Sequence, residues 1–411
     1  MVLFCAVLAF PGTLGVGRWF WNSWQTRGGP AAQLVFNNEP LWCLITDHSI
    51  GTFLIINLQF TFHDGIIGRE GWTKEGNART MLNAAVVGLG WWGRYILNSL
   101  LVSDKINLTR AIDINVDIAR DLIDKYDVIL SDDFQDALDD DDIDFVILAT
   151  PHSMHEEQVI RVAGAGKHVF CEKPLCLNAA SAVRAINACE DAGVQLGIGH
   201  ERRFEPAMLE IQRMIQAGEL GTIMHAESNF SHDKLASMPT GDWRTQAKDA
   251  PAAGMTAMGI HLTDAYINLL GPVDELYAQT TKRVLDWEHG DVIGVQLRMK
   301  SGVTAYLSAI LATPLFIRFQ VFGTDAWVEA RNPTHPDTPG VTYLTVCKAG
   351  DEPETREYAW IDAVRLNFEC FAAAINGDAP YINTNQQKLQ NVQTLEAICI
   401  SAAYNRPAKV G

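Results

Sequence analysis

The stretch from Asn83 to Gly93, Asn-Ala-Ala-Val-Val-Gly-Leu-Gly-Trp-Trp-Gly, constrains this chain more than any other. The apolar run Ala84 to Val87 predicts a short buried strand. Gly88, Gly90 and Gly93 then complete G-x-G-x-x-G, and Arg94 to Leu101 continues with helical spacing. The first glycine allows a tight turn, and the second lets backbone approach a pyrophosphate. The third lets the helix pack closely on the strand, so that its N-terminal N–H groups point at the phosphates. Glycine-rich turns reproduce this spacing by chance, so the weight comes from the strand before it and the helix after it. Gly88, Gly90, Trp92 and Gly93 are therefore expected to hold a dinucleotide.

The pattern then alternates strand and helix. Leu108 to Asp113 reads as a second strand ending in an acid, and Val116 to Tyr126 as the next helix. Asp113 lies about 20 residues beyond the glycine loop, where a carboxylate binds the adenosine ribose hydroxyls and repels a 2′-phosphate. NAD is favoured over NADP on that ground, although a turn aspartate is common at a strand end. The acids between Asp132 and Asp144 lack the glycine-punctuated loop of calcium sites and read as a solvated helix and turn. Phe145 to Ala149 is a buried strand running into Thr150-Pro151-His152-Ser153-Met154-His155. Another strand, Lys167 to Cys171, delivers Glu172-Lys173-Pro174. Such a repeat predicts a parallel sheet with right-handed crossovers. Ligands sit at the carboxyl ends of its strands, where the glycine loop, Asp113, Thr150-Pro151 and Glu172-Lys173 all fall.

The totals fit two domains in 411 residues, with 48% hydrophobic and 20% charged content. A formal charge of −17 argues against nucleic acid or an anionic membrane as partner. The eight cysteines show no C-x-x-C and no metal-ligand spacing, which points to free thiols in a reducing, cytoplasmic setting and to no bound metal. Residues 1–80 differ from the rest. They hold five of the eleven tryptophans and their charges cancel, so the net charge resides in 81–411. Val2 to Phe10 has the apolarity of a signal core but no preceding Lys or Arg, and Asp47 and His48 interrupt the apolar run Leu41 to Phe62. Met81 stands two residues before the first strand. Residues 1–80 are thus expected to be an over-extended reading frame or a poorly ordered leader.

From about Met81 onward the chain resembles the glucose–fructose oxidoreductase / inositol dehydrogenase / rhizopine-catabolism (Gfo/Idh/MocA) oxidoreductases. The shared residues are Gly88-Leu-Gly-Trp-Trp-Gly93, Ala149-Thr-Pro-His-Ser-Met-His155 and Ala165-Gly-Lys-His-Val-Phe-Cys-Glu-Lys-Pro174. They continue with Gly199-His-Glu-Arg-Arg-Phe204, Gly218-Glu-Leu-Gly221, Asp242-Trp-Arg244 and Asp325-Ala-Trp-Val-Glu329. The resemblance implies an α/β architecture: a Rossmann dinucleotide-binding domain, residues 81–203, then an α/β domain, 204–411, with an open, mostly antiparallel sheet. Alternating segments at Val292 to Met299, Val303 to Leu311, Ile317 to Phe322 and Thr342 to Cys347 support that sheet independently. Ala363 to Asn376 and Leu389 to Tyr404 have helical spacing. The resemblance also implies a homodimer or homotetramer formed through the open sheet.

Hydride transfer needs a base for the hydroxyl proton. The first candidate is Lys173, at a buried strand end where desolvation lowers an ammonium pKa, with Glu172 to orient it. In the family the matching lysine bridges the nicotinamide ribose and the substrate hydroxyl. The second is His261, in Gly254-Met-Thr-Ala-Met-Gly-Ile-His-Leu-Thr-Asp264. There the family usually carries an aspartate where this chain has Ala257. A histidine titrating near neutrality would take the proton alone, with Thr256 adding a hydroxyl contact. His155 is placed with Thr150 and Pro151 near the nicotinamide ribose, and Arg203, Trp243 and Arg244 at the substrate. The expectation is an NAD(P)-dependent oxidoreductase of a sugar, cyclitol or related polyhydroxylated ring. A cofactor-binding sensor of the same fold, or a redox-neutral enzyme recycling bound NAD, remains open because Ala257 departs from the pattern.

Overall fold

The structure, a computed structural model, describes residues 42–47, 52–57, 81–121 and 128–411. Two compact units divide the chain, 1–76 and 77–411. Within the first, β1 (Trp42–Asp47) pairs antiparallel with β2 (Thr52–Asn57). The expectation of a leader over 1–80 otherwise falls outside the described residues.

The second unit begins with a six-stranded sheet. Its strands are β3 (Leu82–Val87), β4 (Ile106–Ile112), β5 (Ile129–Ser131), β6 (Phe145–Leu148), β7 (His168–Cys171) and β8 (Leu196–Ile198), in the order β5-β4-β3-β6-β7-β8. All pairs are parallel. Helices α1 (Trp91–Leu100), α2 (Gln135–Asp139), α3 (His155–Gly164) and α4 (Ala179–Asp191) form the connections. Central strands of such a sheet are covered on both faces, which is why β6, Phe-Val-Ile-Leu, is wholly buried. The order reverses between β3 and β6, so the loops leaving these two strands open a crevice at the topological switch point. The helix expected over Val116 to Tyr126 begins as a single tight turn, Val116–Ala119. Residues 122–127 lie outside the described ones.

A nine-stranded sheet follows. It comprises β9 (Ile223–Ser231), β10 (Val273–Thr281), β11 (Val292–Met299), β12 (Thr304–Ile310), β13 (Phe316–Gly323), β14 (Ala326–Asn332), β15 (Val341–Lys348), β16 (Glu354–Ala359) and β17 (Ala408–Lys409). Their order is β16-β15-β14-β13-β9-β12-β11-β10-β17, antiparallel except for β12 beside β9. Helices α5 (Pro206–Gln216), α6 (Ile260–Leu270), α7 (Ala363–Ile375) and α8 (Asn385–Tyr404) complete the unit. The mostly antiparallel sheet expected from the sequence is present. Strands β9, β10, β14, β16 and β17 are not among the segments read from the sequence, and the first two show why. In β9 the inward set includes Ser228, which bonds the buried Tyr266 hydroxyl at 2.6 Å, so apolar alternation is broken. In β10 a register shift between Val273 and Glu275 interrupts the period of two.

Helix α7 packs back on the Rossmann sheet. Its Phe368 and Phe371 share a core with Phe145 and Phe170, the Phe170–Phe368 ring centroids lying 3.9 Å apart. Helix α8 contributes Val392 to the Rossmann core and Leu395 and Ile398 to the core of the large sheet. These contacts tie the two sheets together and fix the loops between them. Among the described residues no helix is long and apolar enough to cross a membrane.

Candidate active site

The site grows from the end of β3. Gly88 has φ +90°, and a Cβ there meets the Ala149 carbonyl oxygen at 2.7 Å. A Cβ on Gly93 lies only 1.8 Å from the Gly88 carbonyl oxygen. Gly90 differs, with nothing within 4 Å of its Cβ position. Two glycines therefore close the turn and the third keeps a space open above it. Helix α1 starts here with no capping side chain and no acid in its first turn. Its first N–H groups and positive dipole end are left for an anion, which fits the pyrophosphate of a dinucleotide. Asp113 follows β4 directly, accepting from Leu89 N at 2.6 Å and Asn115 N at 2.8 Å. Its carboxylate is thus fixed beside the glycine loop, with lone pairs to spare for ribose hydroxyls.

Across the crevice the end of β7 supplies Glu172 and Lys173, followed by a cis Lys173–Pro174 peptide. Glu172 is buried in a slot that only a glycine at 199 permits, since a Cβ there would come within 2.4 Å of its carboxylate oxygen. Lys173 Nζ donates to the Ala257 carbonyl at 3.1 Å and the Thr256 carbonyl at 3.4 Å. These carbonyls belong to an irregular turn, Met255–Gly259, in which Gly259 N bonds Gly254 O at 3.0 Å across five residues. Such widened turns recur at functional sites because they re-aim the residues that follow. Here His261 follows, at the start of α6.

Lys173, His261, Thr256 and Ala257 line a single cavity of about 490 Å³ with Glu172, Glu201, Thr150, Trp92, Trp243 and Arg244. Aromatic walls come from Trp91, Phe230 and Trp287, and further imidazoles from His152, His232, His289 and His335. Burial lowers the Lys173 ammonium below its ordinary pKa, against the pull of Glu172 and Glu201. The same burial raises the Glu172 carboxyl. His261 departs from expectation. Burial first, and the Lys173 charge second, hold it well below the usual histidine range, so its ring is neutral at pH 7 rather than poised near it.

Other sequence expectations are redistributed. Arg203 is not in the cavity. It is buried in a two-pronged pair with Asp264, 2.8 and 2.7 Å, and donates to Asn268 and Gln387, each at 3.1 Å. Placing it at the substrate is corrected, because its partner lies 61 positions away and only the fold reveals it. His155 is fully buried, with Nδ1 2.8 Å from the Pro174 carbonyl and Nε2 3.1 Å from the Thr150 carbonyl. Both nitrogens face backbone carbonyls, and the ring, kept from charging by burial, donates its one N–H to one of them and so braces the Thr150-Pro151 and Pro174 loops. His152 has Nδ1 2.7 Å from the Asp249 carbonyl and meets Trp243 edge-on at 4.6 Å. Among the described residues no group of side chains is arranged to hold a metal. The sequence also under-read Glu201, which is buried at the cavity with its Oε2 unpartnered among the described residues. Only the nearness of His261 in space marks it.

Comparison with known proteins identifies the family of the two domains. A family model described as "Oxidoreductase family, NAD-binding Rossmann fold" (GFO_IDH_MocA) matches residues 82–200, and one for the GFO/IDH/MocA C-terminal domain matches 208–329. D-xylose 1-dehydrogenase (NADP(+)) 2 of Haloferax volcanii is 30% identical over 66% of this chain and 81% of its own. The chain belongs to the Gfo/Idh/MocA oxidoreductase family. It is an NAD(P)-dependent oxidoreductase by that membership, with a Rossmann domain built for the cofactor. The 2,7-anhydro-N-acetylneuraminate hydratase of Escherichia coli is 30% identical over 47% of this chain and 51% of its own, so only about half of that relative is spanned. Among solved structures, the aldose-aldose oxidoreductase of Caulobacter crescentus superposes with a TM-score of 0.73, at 24% identity, over 80% of this chain and all of that one. This last likeness concerns the fold.

Proposed function

We propose that this chain interconverts a secondary alcohol and a ketone on a sugar, cyclitol or related polyhydroxylated ring, using NAD or NADP. One observation carries the reading: Lys173, just after β7, and His261, on α6, line one cavity beside the glycine loop. The bound nicotinamide would accept or return the hydride. Lys173, held by the turn carbonyls and partly desolvated, gives up one of those bonds to orient the substrate hydroxyl. His261, kept neutral by burial, presents a ring nitrogen as proton acceptor rather than a positive charge. Trp91, Trp92, Trp243 and Trp287 offer flat apolar walls of the kind on which the C–H faces of sugar rings pack, and Thr256 and Arg244 add polar contacts. The relative named as an NADP-dependent D-xylose dehydrogenase supports a carbohydrate substrate.

A second reading has its own support. The relative named as a hydratase favours a redox-neutral reaction on the same scaffold. Activity with no added cofactor and no net nicotinamide absorbance change would select it. The primary test is binding of NADH to the full chain, followed by quenching of Trp91 and Trp92 fluorescence, together with turnover of wild type and Lys173→Ala. Retained binding with lost turnover is expected. Equal function of both proteins, as from a sensor, refutes the enzymatic assignment. We also place a homo-oligomer contact on the open sheet face, where Tyr306 is exposed; light scattering at a monomer mass contradicts it.

A further inference from the structure

Two buried polar atoms in this cavity lack any partner among the described residues and face one another. Glu201 Oε2 and His261 Nδ1 are both without a hydrogen bond, 3.9 Å apart, in side chains 6% and 5% exposed. A buried unsatisfied polar atom is costly and uncommon, so two at one place call for an explanation. Their separation exceeds a direct hydrogen bond, but such bonds at catalytic sites are often long without substrate and tighten when it is bound. Among the described residues no lysine or arginine is ion-paired with Glu201. Arg202 is committed to Glu205 at 2.9 Å and Arg203 to Asp264. Lys173 donates to backbone carbonyls. The irregular turn before α6 contributes Thr256 and Ala257 to the cavity, and neither side chain supplies a carboxylate.

We infer that Glu201 is the carboxyl partner of His261, exchanging a proton with Nδ1 while Nε2 exchanges one with the substrate oxygen. This rests on the hydride-transfer reading above. In the oxidative direction the substrate O–H bond breaks as its proton passes to Nε2, and the Nδ1 proton passes to Glu201 Oε2. The electron pair of the O–H bond becomes the second bond of C=O, and the C–H pair leaves with its hydrogen as hydride to the nicotinamide. Neutral imidazole is restored in its other tautomer, and the carboxylate has become a carboxylic acid. The reductive direction reverses each transfer. Glu201 acts through His261 and is a positioning residue that also stores the proton.

Electrostatics agree with this role. Burial, with the nearby Glu172 charge adding, pushes the Glu201 carboxyl up to about 8, while Lys173 pulls the other way and Glu205 adds to the rise. On the other side His261 faces Lys173, His200, Arg202 and His335, all of which disfavour its cation. At neutral pH the proton therefore resides on Glu201, ready to be delivered. Above the Glu201 pKa the carboxylate is ready to accept.

The test compares full-length wild type and Glu201→Gln. The glutamine keeps size and polarity but cannot exchange the proton. Infrared spectra titrated from neutral to alkaline pH are expected to show a protonated-carboxyl band in the wild type that is lost near pH 8 and is missing from the variant. Alcohol oxidation by the wild type is expected to rise over the same range. In Glu201→Gln that rise disappears and kcat falls roughly 100-fold, with KM and NADH binding unchanged. A variant with wild-type kcat and pH profile, or one that keeps the band, overturns the inference. Should the variant not fold, the wild-type profile decides, a flat one overturning it. Should the wild type oxidise none of the aldoses and inositols tried, the proposed function fails, while the infrared titration of the apoprotein still judges Glu201.

Discussion

Alanine at Gly93 and alanine at Gly90 separate the two tasks of the glycine loop. At Gly93 the added Cβ sits 1.8 Å from the Gly88 carbonyl oxygen and 2.9 Å from its carbon. Nonbonded heavy atoms settle at about 3.5–4 Å, so the backbone of α1 or of the turn must move by more than an ångström. Neither is the flexible end of a side chain, which puts the cost near the top of the range for overpacking, about 3 kcal/mol. That corresponds to a drop of roughly 5 °C or more in Tm. At Gly90 the backbone has φ −62° and ψ −173°, which alanine adopts freely, and no atom lies within 4 Å. Gly90→Ala is therefore expected to melt with the wild type, yet to intrude on the approach of a pyrophosphate. Its NADH affinity should fall at least about tenfold, a change of about 1.4 kcal/mol. Differential scanning fluorimetry and fluorescence titration with NADH read the two effects on the same samples. Unaltered melting of Gly93→Ala, or unaltered NADH binding by Gly90→Ala, refutes the reasoning.

Other outcomes follow from the same geometry. Arg203→Ala leaves Asp264 buried without its cation and is expected to cost about 3–5 kcal/mol, seen in urea unfolding. Although burial alone raises the Asp264 carboxyl, Arg203 and then His200 hold it below its ordinary value. The stability it contributes in the wild type is thus complete at neutral pH and lost as pH falls through that depressed value, whereas in Arg203→Ala the sign reverses and mild acid relieves the penalty. Asp113→Asn keeps an acceptor for Leu89 N but loses the charge, so the kcat/KM ratio for NADP over NAD is expected to rise. Lys173→Met, which retains the bulk of the side chain, should bind NADH and lose roughly 100-fold or more in kcat.

Legibility in the sequence tracked the range of the interactions involved. The glycine loop and the strand ends at Asp113, Thr150 and Lys173 are set by local geometry and period, and the α/β order they imply is the order found. Strands β11 and β12 alternate cleanly because one face is buried, whereas Ser228 in β9 and the shift in β10 hide theirs. Side-chain roles were harder. Arg203 looked like a substrate residue because an arginine beside a strand end has no visible partner until Asp264 is folded against it. His155 reads as a ligand in a loop, yet the fold buries it with both nitrogens facing backbone carbonyls. Glu201 carried no local signal, since its significance arises from His261, sixty positions on. A neutral His261 was equally out of reach, because desolvation depends on how completely the cavity wall closes around it.

The measurement that bears most directly on the central claim is a dehydrogenase assay of the purified full chain. NAD and NADP are each supplied with sugars, inositols, aldonates and aromatic dihydrodiols, and the absorbance of reduced nicotinamide is followed for the wild type and Lys173→Ala. The account expects cofactor reduction with at least one polyhydroxylated ring, abolished in the variant. Reduction that survives unchanged in Lys173→Ala, or NADH binding with no reduction on any substrate, contradicts it.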